Sequence, residues 1–135
     1  VMADTFQPGL GADGWRISNP PILSLAPIAA SMAIFDEVGL PALRARSERL
    51  TAHLADLVAT LAPHAQVITP AEPTARGAML SIRLPQARAV LEQMETRGIM
   101  ADFREPDIIR VAPVPLYNGY LDIWHAATAL ATAVR

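Results

Sequence analysis

Apolar positions recur with helical spacing through most of the first half of the chain. Residues 40–62 carry an apolar residue at intervals of mostly three or four, which predicts an amphipathic helix. The stripe consists of Leu43, Leu50, Leu54, Leu57, Val58 and Leu61. Residues 21–38 are apolar nearly all round, which predicts a helix that is buried on several sides and ended by Gly39.

The second half of the chain changes to shorter, alternating patterns. Residues 66–70 and 78–84 are predicted strands, and the second places alternate apolar side chains on one face. Those side chains are Leu80, Ile82 and Leu84. Residues 99–103 and 108–112 are predicted as two further strands, joined by a turn at residues 104–107.

Two more helices are expected among these strands. Pro85 opens the first and Gly98 stops it, with a stripe of Ala87, Val90, Leu91 and Met94. The second is predicted over residues 119–134, with Asn118 as its cap. Its stripe consists of Tyr120, Ile123, Trp124, Ala127, Leu130, Ala131 and Val134.

The order of elements predicts an α+β fold. The predicted order is helix, helix, strand, strand, helix, strand, strand, helix. Elements in this order pack best as a small, mostly antiparallel sheet covered by helices on one side. Residues 1–19 are rich in Gly, Pro and Asp, and they are predicted to be a loop that connects to a segment upstream. Residues 20–135 are then the α+β domain.

Composition narrows the class of protein. The chain has 135 residues, of which 52% are hydrophobic and 18% charged, and this suits one modest globular domain. The net charge of -2 gives no general attraction to nucleic acid or to an anionic membrane. Without cysteine there is no disulfide, thiol nucleophile or zinc–thiolate site, and a cytoplasmic location is favoured. The most apolar stretch, residues 22–35, is too short to span a bilayer.

Common catalytic signatures are missing, but two segments are unusual for a scaffold. In the first, Ser18 and Asn19 precede a predicted helix, where side chains and free backbone N–H groups suit an anionic or polar ligand. The alternative is that Ser18 or Asn19 only caps the helix. The three histidines, His53, His64 and His125, are far apart and are expected at the surface.

The second segment surrounds Arg110. This arginine lies in an apolar run, Ile108 to Ala112, that should be half buried, and a buried guanidinium needs an anionic partner. The partner is either a carboxylate of the protein or the carboxylate of a ligand, because arginine makes the same planar fork with both. The proline-rich residues 113–115 stiffen the chain directly after it.

Both segments resemble the kynureninases. Three stretches are similar to signatures of that family: GWRISNPPIL (residues 14–23), ITPAEPTARGAMLSI (residues 68–82) and REPDIIRVAPVPLYN (residues 104–118). The resemblance extends from Phe6 to the end of the chain. It implies the C-terminal small domain of a fold-type-I pyridoxal-phosphate (PLP) enzyme, with the large domain missing.

The resemblance also implies an activity. Kynureninases use PLP and water to cleave the Cβ–Cγ bond of L-kynurenine or 3-hydroxykynurenine. The products are L-alanine and anthranilate or 3-hydroxyanthranilate, in tryptophan breakdown and, in some organisms, NAD synthesis. They are homodimers whose active sites lie at the subunit interface.

Carried over by position, the resemblance assigns three residues. Arg110 matches the arginine that binds the substrate α-carboxylate, and Ser18 matches a position beside the aromatic ring of the substrate. Asn19 matches a residue that reaches the cofactor pocket from the neighbouring subunit. No catalytic residue and no metal ligand is assigned to this chain.

The basic residues depart from what a complete enzyme of this family needs. All eleven are arginine, and a PLP enzyme holds its cofactor on a lysine. The chain alone is therefore expected to be inactive. Two alternatives remain: the small domain of another fold-type-I enzyme, such as a cysteine desulfurase-like lyase or an aminotransferase, and a non-catalytic dimerisation module.

Overall fold

The computed structural model describes residues 4–16 and 18–132, which divide into two compact units. The first unit is Val1–Gly39 and the second is Leu40–Arg135. The predictions that concern Ile17 and Val134 lie outside the described residues. The boundary between a connecting loop at residues 1–19 and a domain at residues 20–135 stays a prediction.

A single long helix dominates the first unit. A short 3-10 helix at Gly11–Trp15 precedes it, and helix α1 itself is Ile22–Val38. The helix stops at Gly39, which has a φ of 82° and donates its N–H to the carbonyl of Phe35. Glycine adopts this positive φ at little cost, so the chain leaves the helix at the residue that the sequence predicts.

The predicted burial of α1 on several sides is wrong within this chain. No residue of α1 is buried, and Leu23 is 90% exposed. The other large apolar side chains that α1 leaves exposed are Ile22, Leu25, Ile28, Met32, Ile34 and Val38. Among its described residues the first unit has no second long helix and no strand, so it cannot enclose a helix that is apolar all round.

The second unit contains the remaining elements in the predicted order. They are α2 (Leu40–Leu61), β1 (Gln66–Val67), a 3-10 turn (Pro73–Ala75), β2 (Leu80–Arg83), α3 (Ala87–Thr96), β3 (Asp102–Arg104), β4 (Ile108–Val111) and α4 (Tyr120–Thr132). The strands form one antiparallel sheet in the order β1-β2-β4-β3. The α+β class is confirmed.

The strands are shorter than the sequence predicts. β1 ends at Val67, although the pattern continued to residue 70. A side chain takes over the next position of the ladder, because the N–H of Ser81 donates to Oγ1 of Thr69 at 2.7 Å. The hydroxyl of Thr69 thus satisfies a backbone donor that a longer strand would have paired.

The core lies between one face of the sheet and the helices. Leu80 pairs with Val111 and Ile82 with Ile109, and all four side chains are buried on that face. Helices α2, α3 and α4 pack on it through Leu50, Leu54, Val58, Ala87, Val90, Met94, Ile123, Ala127 and Leu130. Three predicted stripe positions are exposed instead: Leu61, Tyr120 and Trp124.

The opposite face of the sheet, here called the outer face, is polar. Alternation along the strands directs Ser81, Arg83, Asp102, Arg104 and Arg110 to this face, together with one apolar side chain, Ile108. The core therefore decides which side chains are presented on the outer face.

Within the described residues, no single helix is both long and apolar enough to cross a membrane. The consecutive helices α1 and α2 meet the criterion only when they are taken together, and only by length and composition.

Helix α4 is capped by Asp122, whereas the sequence predicted Asn118 as the cap. The carboxylate of Asp122 accepts a hydrogen bond from the N–H of Gly119 at 2.8 Å and one from the amide of Asn118 at 3.5 Å. Asn118, the predicted cap, instead accepts from the N–H of Val114 at 2.8 Å and closes the preceding turn. Both hydrogen bonds lower the pKa of Asp122, and the one from Gly119 has the larger effect.

The lowered pKa of Asp122 predicts a pH-dependent contribution to stability. A carboxyl whose pKa is lower in the folded state stabilises the fold above its unfolded pKa, near 3.8. That contribution is lost as the pH falls through the lower, folded pKa. Urea unfolding should therefore show that Asp122→Ala destabilises the chain more at neutral pH than below the folded pKa. Asp122→Asn is the control, because an amide keeps an acceptor without titrating; an equal loss at all pH values for Asp122→Ala contradicts the assignment.

The exposed apolar surface of α1 predicts self-association of the isolated chain, since apolar patches of this extent favour contact with another surface. Light scattering coupled to gel filtration at high concentration should detect species larger than 14.5 kDa. Ile28→Glu should shift the equilibrium towards monomer, whereas Leu121→Glu, at an exposed leucine of α4, should not. A sharp monomer peak for the unaltered chain is the contrary result.

Candidate functional site

Arg110 lies at the centre of the outer face. It is on β4, directly opposite Ser81 of β2 on one side and Asp102 of β3 on the other. Its side chain is 29% exposed, which agrees with the half burial predicted from the apolar run around it. The neighbours Ile109 and Val111 point into the core, so the backbone that carries Arg110 is anchored on both sides.

A protein carboxylate does partner Arg110. Oδ2 of Asp102 accepts a hydrogen bond from Nε at 2.6 Å and a second from Nη2. One of the two alternatives left open by the sequence is therefore realised within the chain. The ligand-binding role of Arg110 is a separate matter and stays a prediction.

The Asp102 carboxylate occupies only one edge of the guanidinium group. Arginine has five N–H donors arranged in a plane, and Nε with one N–H of Nη2 forms its side-on edge. Among the described residues no acceptor takes a hydrogen bond from Nη1 or from the second N–H of Nη2. These donors form the end-on edge, which has the geometry to bind a second carboxylate with two parallel hydrogen bonds.

Neighbouring charges keep the outer face cationic. Nε of Arg104 lies 3.1 Å from the same oxygen of Asp102, and Nε of Arg83 lies 3.5 Å from Oδ2 of Asp107. Three arginines face two aspartates, so these five side chains carry a net charge of +1. A monoanionic ligand at Arg110 would complete the neutralisation of the cluster.

Sequence reasoning missed Asp102 and Arg104. The available signal was their position in a predicted strand, at alternating positions and next to the strand of Arg110. The predicted turn at residues 104–107, however, would pair Phe103 with Ile108 and set Ala101 opposite Arg110. The observed pairing of Arg104 with Ile108 shifts the register by one residue and brings Asp102 to Arg110.

The segment after β4 is held by its own contacts. Pro113 is buried, and the carbonyl of Asn118 accepts a hydrogen bond from Nη2 of Arg46 at 3.1 Å. Together with the Val114–Asn118 hydrogen bond, this ties the proline-rich exit of β4 to helix α2. Asn118 therefore has a structural role in this turn, and the Tyr117 side chain is exposed.

Ser18 and Asn19 lie in the first unit, before α1. Both are exposed, and the N-cap of α1 is Pro21, which makes no side-chain hydrogen bond. The capping role that the sequence left open for Ser18 and Asn19 is therefore not found. The structure describes this segment separately from Arg110, so a shared site of the three residues stays a prediction.

A groove also lies in the second unit, on the side of α4. It has a volume of about 630 Å³, and Leu54, Val111 and Ile123 are among the apolar residues that line it. Arg97 and His125 supply polar groups at its wall, while Arg110 does not line it.

Among the histidines, His64 and His125 are exposed as expected and His53 is partly buried, edge-on to the ring of Tyr120.

Comparison with known proteins identifies the family. The sequence profile of the kynureninase C-terminal domain matches residues 43–130, which is well over half of the chain. The chain is 50% identical over 127 residues to a kynureninase of Xanthomonas campestris pv. campestris and to one of Xanthomonas euvesicatoria pv. vesicatoria. It is 48% identical over the same length to a kynureninase of Xanthomonas axonopodis pv. citri.

These matches cover 90% of the chain but only 30% of each relative. The chain thus spans about a third of the length of the kynureninases that it resembles. The matched range 43–130 includes α3, the four-stranded sheet, Arg110 and most of α2 and α4. With its α+β fold and its profile match, the chain belongs to the kynureninase family, through the C-terminal domain of that family.

Proposed function

We propose that this chain acts as the C-terminal part of a PLP-dependent kynureninase. The full-length protein would hydrolyse the Cβ–Cγ bond of L-kynurenine, or of 3-hydroxykynurenine, to L-alanine and anthranilate or 3-hydroxyanthranilate. The observation that supports this most directly is the cationic outer face, where Arg110 keeps two adjacent nitrogens without an acceptor among the described residues. Membership of the family then makes an amino-acid carboxylate the natural ligand.

In this proposal Arg110 binds the substrate α-carboxylate. Nη1 and Nη2 donate two parallel hydrogen bonds, which fix both the position and the plane of the carboxylate. The half-buried setting strengthens this ion pair relative to one in open solvent. The contribution of this chain is orientation of the substrate and neutralisation of its charge, which brings the scissile bond into a fixed position.

The residues of this chain fit a minor share of a PLP site. The chain has no lysine, so the Schiff base would come from a residue outside it. Asn19 and Ser18 offer exposed polar side chains that do not cap α1, and we assign Asn19 to the cofactor pocket and Ser18 to the ring of the substrate. When bound, PLP would supply the electron sink for the cleavage.

We also propose partners for the chain. These are the remainder of a longer polypeptide, with a large domain that carries the lysine, and a second copy in a homodimer. Asn19 would reach the active site of the neighbouring subunit. The exposed apolar surface of α1 is compatible with contacts of this kind, and we propose a cytoplasmic location for the assembly.

Kynurenine hydrolysis tests the proposal directly. Full-length protein incubated with L-kynurenine should release anthranilate, detected by its fluorescence, whereas the 135-residue chain should release none because it lacks a lysine. A full-length protein that binds PLP but leaves L-kynurenine intact would instead indicate another fold-type-I reaction. Release of anthranilate by the short chain would contradict the assignment of the lysine to another part of the protein.

Removal of the Arg110 side chain should weaken substrate binding. In the full-length enzyme, Arg110→Ala should cost about 2–5 kcal/mol, the range for removing one partner of a buried charge pair. PLP binding, followed by absorbance, should be nearly unchanged. Arg88→Ala is the matched control, because Arg88 pairs with Glu105 at 2.8 Å and lies outside the outer-face cluster. Loss of the cofactor together with substrate affinity would make Arg110 a structural residue.

A further inference from the structure

Asp102 lies in contact with the guanidinium that the proposed function uses, yet a carboxylate beside a carboxylate-binding arginine is at first sight a competitor. It would occupy donors and repel an anionic ligand. Two observations decide against competition. Asp102 takes only the side-on edge of Arg110, and Arg104 contacts the same oxygen of Asp102 at 3.1 Å.

The hydrogen bonds to Asp102 limit the rotation of the guanidinium. A free arginine side chain has several rotatable bonds, and ordering it on ligand binding costs free energy. Asp102 holds both Nε and Nη2, which fixes the plane of the group and the direction of its end-on edge. The ordering cost is then met in the folded protein before the ligand arrives.

Charge balance is the second requirement. Asp102 and Arg110 alone would form a neutral pair with little attraction for an anion. Arg104 restores one positive charge to the group, because the two arginines share a single carboxylate. The three side chains together match one monovalent carboxylate.

We propose that Asp102 is a positioning residue for the substrate: it holds Arg110 side-on, so that the α-carboxylate binds end-on through Nη1 and Nη2. Arg104 keeps the cluster cationic while Asp102 is in place. This inference rests on the proposed function, since it requires that Arg110 binds the carboxylate of the substrate.

A specific kinetic effect is expected for the full-length enzyme. Asp102→Ala should raise the KM for L-kynurenine on the order of 10-fold, within the loss of about 100-fold that misplacement of a binding group causes. The kcat should change little, because the carboxylate contact is made equally in the ground state and the transition state. Asp102→Asn keeps an acceptor and should give a smaller rise.

A ligand without the carboxylate separates positioning from general damage to the fold. Kynuramine, the amine that remains when L-kynurenine loses its α-carboxylate, should inhibit the unaltered enzyme and Asp102→Ala with similar Ki values. A general structural defect in Asp102→Ala would weaken the binding of both L-kynurenine and kynuramine, and this result would overturn the proposal. Glu105→Ala is the matched control, since Glu105 pairs with Arg88 at 2.8 Å and lies outside the outer-face cluster; the KM of this variant should stay unchanged.

The double variant tests whether Asp102 acts through Arg110. If it does, adding Asp102→Ala to Arg110→Ala should raise the KM no further. Additive effects, or a lower KM in Asp102→Ala, would show an independent or a competing role and overturn the inference. If Arg110→Ala itself leaves the KM unchanged, the assignment of Arg110 in the proposed function fails and the positioning role fails with it. An effect of Arg110→Ala without one of Asp102→Ala removes only the positioning role.

Discussion

The alternation of side chains along β4 is the constraint on which the site depends. Ile109 and Val111 must face the helices, because their burial contributes to the core, and this leaves Arg110 no orientation except outward. A hydrophobic requirement on one face of the sheet thereby fixes a charged group on the other. The packing of α2, α3 and α4 is in this sense part of the functional site, although none of these helices supplies its charged residues.

The outer face shows how ionic groups can be both paired and available. An unpartnered arginine at this depth would be poorly solvated, and a fully paired one would have no donors left for a ligand. Asp102 resolves the conflict because it binds only one edge of the guanidinium group. Residue type alone is therefore a poor guide, because the donors that stay available depend on which edge the partner occupies.

The two units differ in how much of their apolar surface is buried. The second unit has a continuous core and satisfies its caps and turns within the chain, as at Asp122 and Asn118. The first unit carries a helix that is apolar nearly all round and has no buried residue. The kynureninases to which the chain is similar are about three times as long as the matched stretch.

The sequence by itself determined the elements, their order and the α+β class, because hydrophobic periodicity and Gly or Pro punctuation are local properties. It also singled out Arg110, since an arginine within an apolar run is recognisable without any structure. Only the tertiary structure decided the contacts that cross between strands. The observed register differs by one residue from that of the predicted turn and places Asp102 opposite Arg110. In the same way, the exposure of α1 depends on which surfaces are present to cover it, and its own residues do not encode them.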